Sequence, residues 1–171
     1  MYVLNTLYPT IVYNDYLVDP LIMKYLIKDK KGKRNVVYYS HTDNYNSYRI
    51  FIRDICSEFL KMNNFDHDRD KWYMDVIRYK LDDDTKRVKS GLAWHCENDN
   101  YPNVITVLMY LRIDDRIKEG NLMYKDKDNN KLMLEIKNGT TVIMDGNVPH
   151  KPQDPYGSGK RDLIITSFEK E

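Results

Sequence analysis

The sequence predicts a mainly β protein, a sandwich or jelly roll with N-terminal α-helices backing one sheet. Three observations carry this. Short β-prone segments recur through the C-terminal half, with Asn129-Asn130, Asn138-Gly139 and Asp145-Gly146 as turn signals between them. One long amphipathic stripe precedes them, over residues 46–63. The 171 residues contain no repeat, low-complexity tract or linker. One domain is therefore expected over 1–171, with 1–71 as a helical support region and 72–171 as the β core.

Taken in order, Ile11-Val12-Tyr13 suits a short strand. Asp19 as N-cap and Pro20 at the first helical position open a helix carrying Leu21, Ile22, Tyr25 and Leu26, ended by Gly32. Val36 to Tyr39 is β-prone. In residues 46–63, Tyr48, Phe51, Ile55, Phe59 and Met62 form a stripe at period 3.6, filled in by Ile52 and Leu60. Ser47 is a candidate cap, and Asn63-Asn64 stops the helix. Phe65 to Lys71 reads as a charged loop with His67 on the surface. Trp72 to Tyr79 alternates like a strand, and Asp82 to Arg87 is a solvated loop that lacks the glycine and distal glutamate of a calcium loop. The remaining strands are expected at Leu92–Glu97, Val104–Arg112, Leu122–Lys125, Lys131–Ile136, Thr140–Met144 and Asp162–Phe168, the last after a Gly-Ser-Gly turn.

Composition excludes several classes. Twenty-seven basic and 26 acidic residues give a net charge of +1, without the basic excess of a nucleic-acid binder. The run Lys28 to Arg34 is a short, solvated charge cluster. Cys56 and Cys96 make no disulfide framework, and no apolar window is long enough to span a membrane. With no leader pattern at the N-terminus, a reducing, intracellular and cytoplasmic setting is expected. Fifteen tyrosines among many Asn, Asp, Lys and Ile suggest an AT-rich coding sequence, as in a virus or an AT-rich microbe.

The candidate site centres on Trp94-His95-Cys96-Glu97. On a strand, residues two apart share a face, so His95 and Glu97 would point one way and Cys96 the other. His150, 53 residues after Glu97, would complete a 2-His-1-carboxylate set of the kind that holds Fe(II) and leaves positions open for oxygen chemistry. Arg161 follows eleven residues later; pointing into an apolar barrel, it would need an anion such as a carboxylate, and otherwise it forms a surface ion pair. Lys160 should face the opposite way. Trp94, Tyr101 and Tyr110 read as core residues before substrate contacts.

In order, Ile77-Arg78-Tyr79, His95-Cys96-Glu97, Tyr110-Leu111, Gly120-Asn121-Leu122, Lys137-Asn138-Gly139-Thr140, His150, Pro152 and Gly159-Lys160-Arg161 resemble the Fe(II)- and 2-oxoglutarate-dependent dioxygenases of the prolyl-hydroxylase-like branch. The resemblance implies a double-stranded β-helix, jelly-roll and cupin-like. It implies Fe(II) on His95, Glu97 and His150, and the distal carboxylate of 2-oxoglutarate on Arg161, with Tyr79 as a hydrogen-bond partner of the same carboxylate. It implies no catalytic residue beyond the metal centre, and it admits ascorbate. The implied reaction uses O2 to hydroxylate a substrate, releasing succinate and CO2. A protein side chain such as proline is favoured, with small molecules open. Two departures stand out. Glu97 occupies a position where aspartate is commoner, and Gly120-Asn121-Leu122 replaces Gly-Gly-x-Leu. A nucleic-acid demethylase of the same chemistry fits less well, because Ser167 stands where a second arginine would be. A cupin-like protein that binds metal or ligand without catalysis is the remaining alternative.

Overall fold

The computed structural model describes residues 2–5, 27–28, 35–38, 46–83, 93–99, 101 and 103–171. The expected strand at Ile11–Tyr13, the helix from Pro20, and most of the loop after Asp82 lie outside them.

Eleven strands and one α-helix occur among the described residues. They are β1 (Tyr2–Asn5), β2 (Ile27–Lys28), β3 (Asn35–Tyr38), α1 (Asn46–Met62), β4 (Asp68–Asp83), β5 (Val104–Ile113), β6 (Ile117–Lys118), β7 (Leu122–Lys125), β8 (Lys131–Leu134), β9 (Thr140–Asp145), β10 (His150–Pro152) and β11 (Tyr156–Glu169). A 3-10 turn spans Glu97–Asp99. The main sheet runs β1-β9-β5-β11-β4-β3-β2, with β6 paired to β11; a smaller sheet runs β10-β7-β8. Every pairing is antiparallel. The α1 helix is neither long nor apolar enough to cross a membrane, nor is any other helix among the described residues.

Period-2 alternation divides the main sheet between two cores. Ile105, Val107, Met109 and Leu111 of β5 join Met74, Ile143, Ile164 and Phe168 in a cluster with Ile52, Cys56, Phe59 and Leu60 of α1. Leu108 and Tyr110 point to the opposite face, with Ile77, Tyr79, Val142, Met144 and Leu163, and meet Leu122 of the small sheet. Helix α1 ends where expected: Asn64 takes a left-handed φ of 61°, and Asn63 and Phe65 both donate to the Leu60 carbonyl.

Several expectations need correction. The β-prone run Val36–Tyr39 forms β3 as expected, but β1 and β2 also join the main sheet from the region read as helical support, and β4 begins at Asp68, inside the expected charged loop. Met62 is exposed; of the expected stripe, Ile52, Phe59 and Leu60 are buried together with Cys56, and Phe51 and Ile55 pack partly buried against them. His67 is buried: its Nε2 lies 2.8 Å from Ser57 Oγ, its Nδ1 lies 3.0 Å from the Phe65 carbonyl, and its ring meets Phe168 edge-on. A polar sequence context conceals a histidine whose two nitrogens both find partners. Gly157-Ser158-Gly159 is not a turn but the first part of β11. Both glycines have positive φ, and a Cβ at Gly157 would lie 2.1 Å from the Arg116 carbonyl oxygen. The glycines therefore serve close strand packing rather than chain reversal.

Candidate metal and co-substrate pocket

The expected strand Leu92–Glu97 does not form over the described residues 93–97. His95 makes a single antiparallel bridge with His150, through His95 N to the His150 carbonyl at 3.1 Å and the reciprocal bond at 2.9 Å. Glu97 then opens the 3-10 turn. Local polar groups draw the backbone away from a ladder. Asp99 accepts from the Cys96 amide, Asn98 Oδ1 accepts from the Val104 amide, and Asn98 itself donates to the Gly146 carbonyl. Glycine is needed at 146, because a Cβ there would stand 2.7 Å from the Val104 carbonyl oxygen, beside Asn98 Oδ1 at 2.2 Å.

The convergence inferred from alternation is thus produced by a bridge and a turn. His95, Glu97 and His150 each present a donor atom within 4.8 Å of the others. Glu97 Oε1 lies 3.3 Å from His150 Nε2 and 3.9 Å from His95 Nε2. The tautomer follows from the other ring nitrogens. His95 Nδ1 faces the Ala93 carbonyl at 2.9 Å, and His150 Nδ1 faces the Val148 carbonyl at 3.0 Å. A carbonyl only accepts, so each Nδ1 carries the proton in the neutral ring. Each Nε2 lone pair is left toward Glu97, as a metal ligand requires. Two imidazoles and a carboxylate suit a divalent first-row metal such as iron. Cys96 turns away, with Sγ toward the Asn147 carbonyl.

The three residues line an open pocket of about 430 Å³, solvent at its mouth included. Its floor is the inner face of the main sheet. In the register of β11, Arg161 pairs with Tyr79, Leu163 with Ile77 and Tyr110, and Ile165 with Leu108. Leu122 and Pro152 close it from the small sheet.

Arg161 lies at the inner end of this floor and is 1% exposed. Its guanidinium sits over the rings of Tyr79 at 5.5 Å and Tyr110 at 5.2 Å. One nitrogen donates to the Gly120 carbonyl at 2.6 Å. Nε and Nη1 make no hydrogen bond of acceptable geometry among the described residues. A buried, unmatched guanidinium edge is costly unless an anion meets it. A carboxylate is the matching shape. Burial pushes the Tyr110 hydroxyl above its usual range, against the opposing pull of the Arg161 charge, so Tyr110 stands beside that edge as a neutral phenol. Gly120 makes room for the arrangement, since a Cβ there would lie 3.2 Å from Arg161 Nη1.

Tyr79 therefore stands beside Arg161. Tyr110, read as core ahead of substrate contact, lines the pocket beside Arg161; its place in Tyr110-Leu111 was the available signal. Lys160 does not line the pocket. Its amide donates to Asp114.

No protein-family model matches the sequence, and no curated protein matches it either. Solved structures do match in fold. A prolyl-4-hydroxylase from Pseudomonas putida superposes with a TM-score of 0.66 at 11% identity, over 99% of this chain and 92% of that one. The chain shares the fold of the prolyl-hydroxylase-like 2-oxoglutarate oxygenases. A prolyl hydroxylase from Trichoplax adhaerens, in complex with a peptide fragment of the hypoxia inducible factor oxygen degradation domain, gives 0.67 at 12% identity over 99% and 83%. A viral collagen prolyl hydroxylase from Paramecium Bursaria Chlorella virus-1, in its 2-oxoglutarate complex, gives 0.56 at 17% identity over 98% and 93%.

Proposed function

We propose that this chain is an Fe(II)- and 2-oxoglutarate-dependent oxygenase that hydroxylates a protein side chain, proline foremost, releasing succinate and CO2. One observation carries the reading: a two-histidine, one-carboxylate donor set and a buried guanidinium with unmatched N–H groups line the same pocket. On this reading the two sheets form a double-stranded β-helix within a single domain over 1–171.

His95 and His150 would hold the iron through Nε2 and Glu97 through its carboxylate. Their Nδ1–H bonds to Ala93 and Val148 hold both rings in orientation and, in the neutral ring, leave Nε2 as the ligating nitrogen. Arg161 would take the distal carboxylate of 2-oxoglutarate on its free edge, with the Tyr79 and Tyr110 rings fixing the guanidinium plane. Ile77, Leu108, Leu122 and Leu163 exclude water from the space between. Bound Fe(II), with 2-oxoglutarate and O2, supplies the oxidising chemistry, and the protein's part is to bind, orient and keep dry. A peptide partner is supported by the Trichoplax neighbour, which was solved with one. The free cysteines suit the reducing, cytoplasmic setting expected from composition.

The test is spectroscopic and catalytic. Anaerobic addition of Fe(II) and 2-oxoglutarate is expected to give a weak visible charge-transfer band, and in air 2-oxoglutarate is expected to yield succinate. Arg161→Ala should lose both at matched concentrations while keeping Fe(II). Wild-type protein that shows neither signal overturns the reading.

A further inference from the structure

The pocket floor continues past the apolar rows toward the surface. On the inner face of β4, the residues alternating with Met74 are Tyr73, Asp75, Ile77 and Tyr79. Tyr79 pairs with Arg161, Ile77 with Leu163, Asp75 with Ile165 and Tyr73 with Ser167. Exposure rises along this series, from 2% at Tyr79 to 39% at Tyr73. Tyr79 and Tyr73 thus mark the closed and open ends of one stripe, roughly 20 Å apart along the strand.

At the open end, the Tyr73 ring is stacked on Tyr101, with centroids 4.0 Å apart and planes inclined by 25°. Tyr101 is 37% exposed. Its amide donates to the Glu97 carbonyl at 3.0 Å, so its backbone is tied to the turn that carries the proposed carboxylate ligand. Two large aromatic rings left this open lose the burial that usually compensates their ordering. Their stacking covers one face of each ring and holds the two as a rigid, exposed aromatic pair at the open end of this stripe. Flat, rigid tyrosines are the surface that extended proline-rich segments use, because a polyproline II strand is already ordered and presents ring faces.

We infer that the Tyr73–Tyr101 pair is the substrate-docking platform of this pocket. It takes a proline of an extended protein segment a few positions from the residue delivered to the iron. This rests on the oxygenase reading above and deepens it by naming a specificity element. The platform's continuity with the pocket floor favours this occupant over an unrelated partner. Tyr73 is the residue to test, since it stacks on Tyr101 and is not one of the three metal-binding residues.

The experiment is titration of a short polyproline peptide into the Fe(II)- and 2-oxoglutarate-loaded protein, followed by calorimetry. Wild type is expected to bind. Tyr73→Ala is expected to weaken binding by about tenfold or more, the scale of an aromatic hot spot. Tyr73→Phe, which keeps the ring, should stay within about threefold of wild type. The affinity for 2-oxoglutarate, read from the charge-transfer band, separates docking from folding. A Tyr73→Ala protein that loses peptide and 2-oxoglutarate together has a structural role there, and the inference fails. It also fails if wild type ignores the peptide or Tyr73→Ala binds it as tightly. A wild type that shows the band but no peptide binding sinks the platform alone. Peptide binding through Tyr73 without any band sinks the oxygenase reading alone.

Discussion

Val107 and Leu108 are neighbours on β5, yet they belong to different halves of the molecule. Val107 packs beneath α1 in a cluster whose buried members are aliphatic, aromatic or sulfur-bearing. Leu108 faces a pocket that also contains Arg161, His150 and Glu97. The same strands build both faces, so the backbone does not distinguish them. The cover does: helix α1 packs on the first face, while a three-stranded sheet leaves the second open at one end. The closed face is where stability resides, and the open face can hold charges that a filled core would reject.

Paired substitutions would break this division most strongly. His150→Ala is expected to lower metal affinity by more than about 100-fold, since even outer-shell partners cost roughly 10–100-fold. It should leave the urea midpoint of the metal-free protein near the wild-type value. Leu60→Ala, wholly buried on the core face of α1, should show the reverse: a loss of about 2–5 kcal/mol in urea unfolding, with metal affinity intact in the folded protein. A Leu60→Ala protein that stays folded but cannot bind metal would mean the two faces are coupled.

Arg161→Met sharpens the comparison in the opposite sense. It removes a buried charge whose Nε and Nη1 lack partners, and buried ionic groups replaced by apolar ones are often neutral or stabilising by roughly 1–4 kcal/mol. The freed Gly120 carbonyl offsets part of that gain, by about 1 kcal/mol. The expected result is an unchanged or raised melting temperature together with loss of 2-oxoglutarate binding. A sharply lowered melting temperature would assign Arg161 to the fold instead of the site.

The smallest effect concerns Asp114, beside the strand that carries Arg161. Burial alone would raise its carboxyl, but hydrogen bonds from the Arg112 side chain and the Lys160 amide outweigh it and hold the group below the usual carboxylate range. A depressed folded pKa contributes stability that is complete above the unfolded value, near about pH 4, and is lost as pH falls through the folded value. Asp114→Asn should therefore cost on the order of 1 kcal/mol at neutral pH and flatten the acid limb of stability. Urea midpoints from about pH 3 to 7 would check it; an acid limb as steep as wild type would exclude Asp114 as a contributor.

Much of this was legible in the residues. Alternation over Trp72–Tyr79 and Val104–Arg112, the helical stripe before it and the three Asn- or Gly-bearing turns gave the architecture. The pocket residues Tyr79, His95, Glu97, His150 and Arg161 were also named, yet the local reason for one pair was mistaken. His95 and Glu97 meet through a bridge and a 3-10 turn, not along a strand. Short pieces such as β6 and β10 carry too few residues to show a period. His67 looked exposed because its partners, Ser57 and Phe168, come from distant segments. Gly157 and Gly159 looked like a turn because glycine permits turns and close strand contact alike.

By itself the sequence determined the side-chain types and their periods: which residues must be buried, where the helix stops, and which atoms are able to bind a metal or an anion. Only the tertiary structure decided that these meet. Strand β11 pairs with β4 on one side and β5 on the other, and that register places Arg161 against Tyr79 and within reach of Tyr110, with one edge of the guanidinium unmatched. Register between strands some 50 to 100 residues apart in sequence is fixed by which faces bury together, a long-range balance that no local pattern encodes.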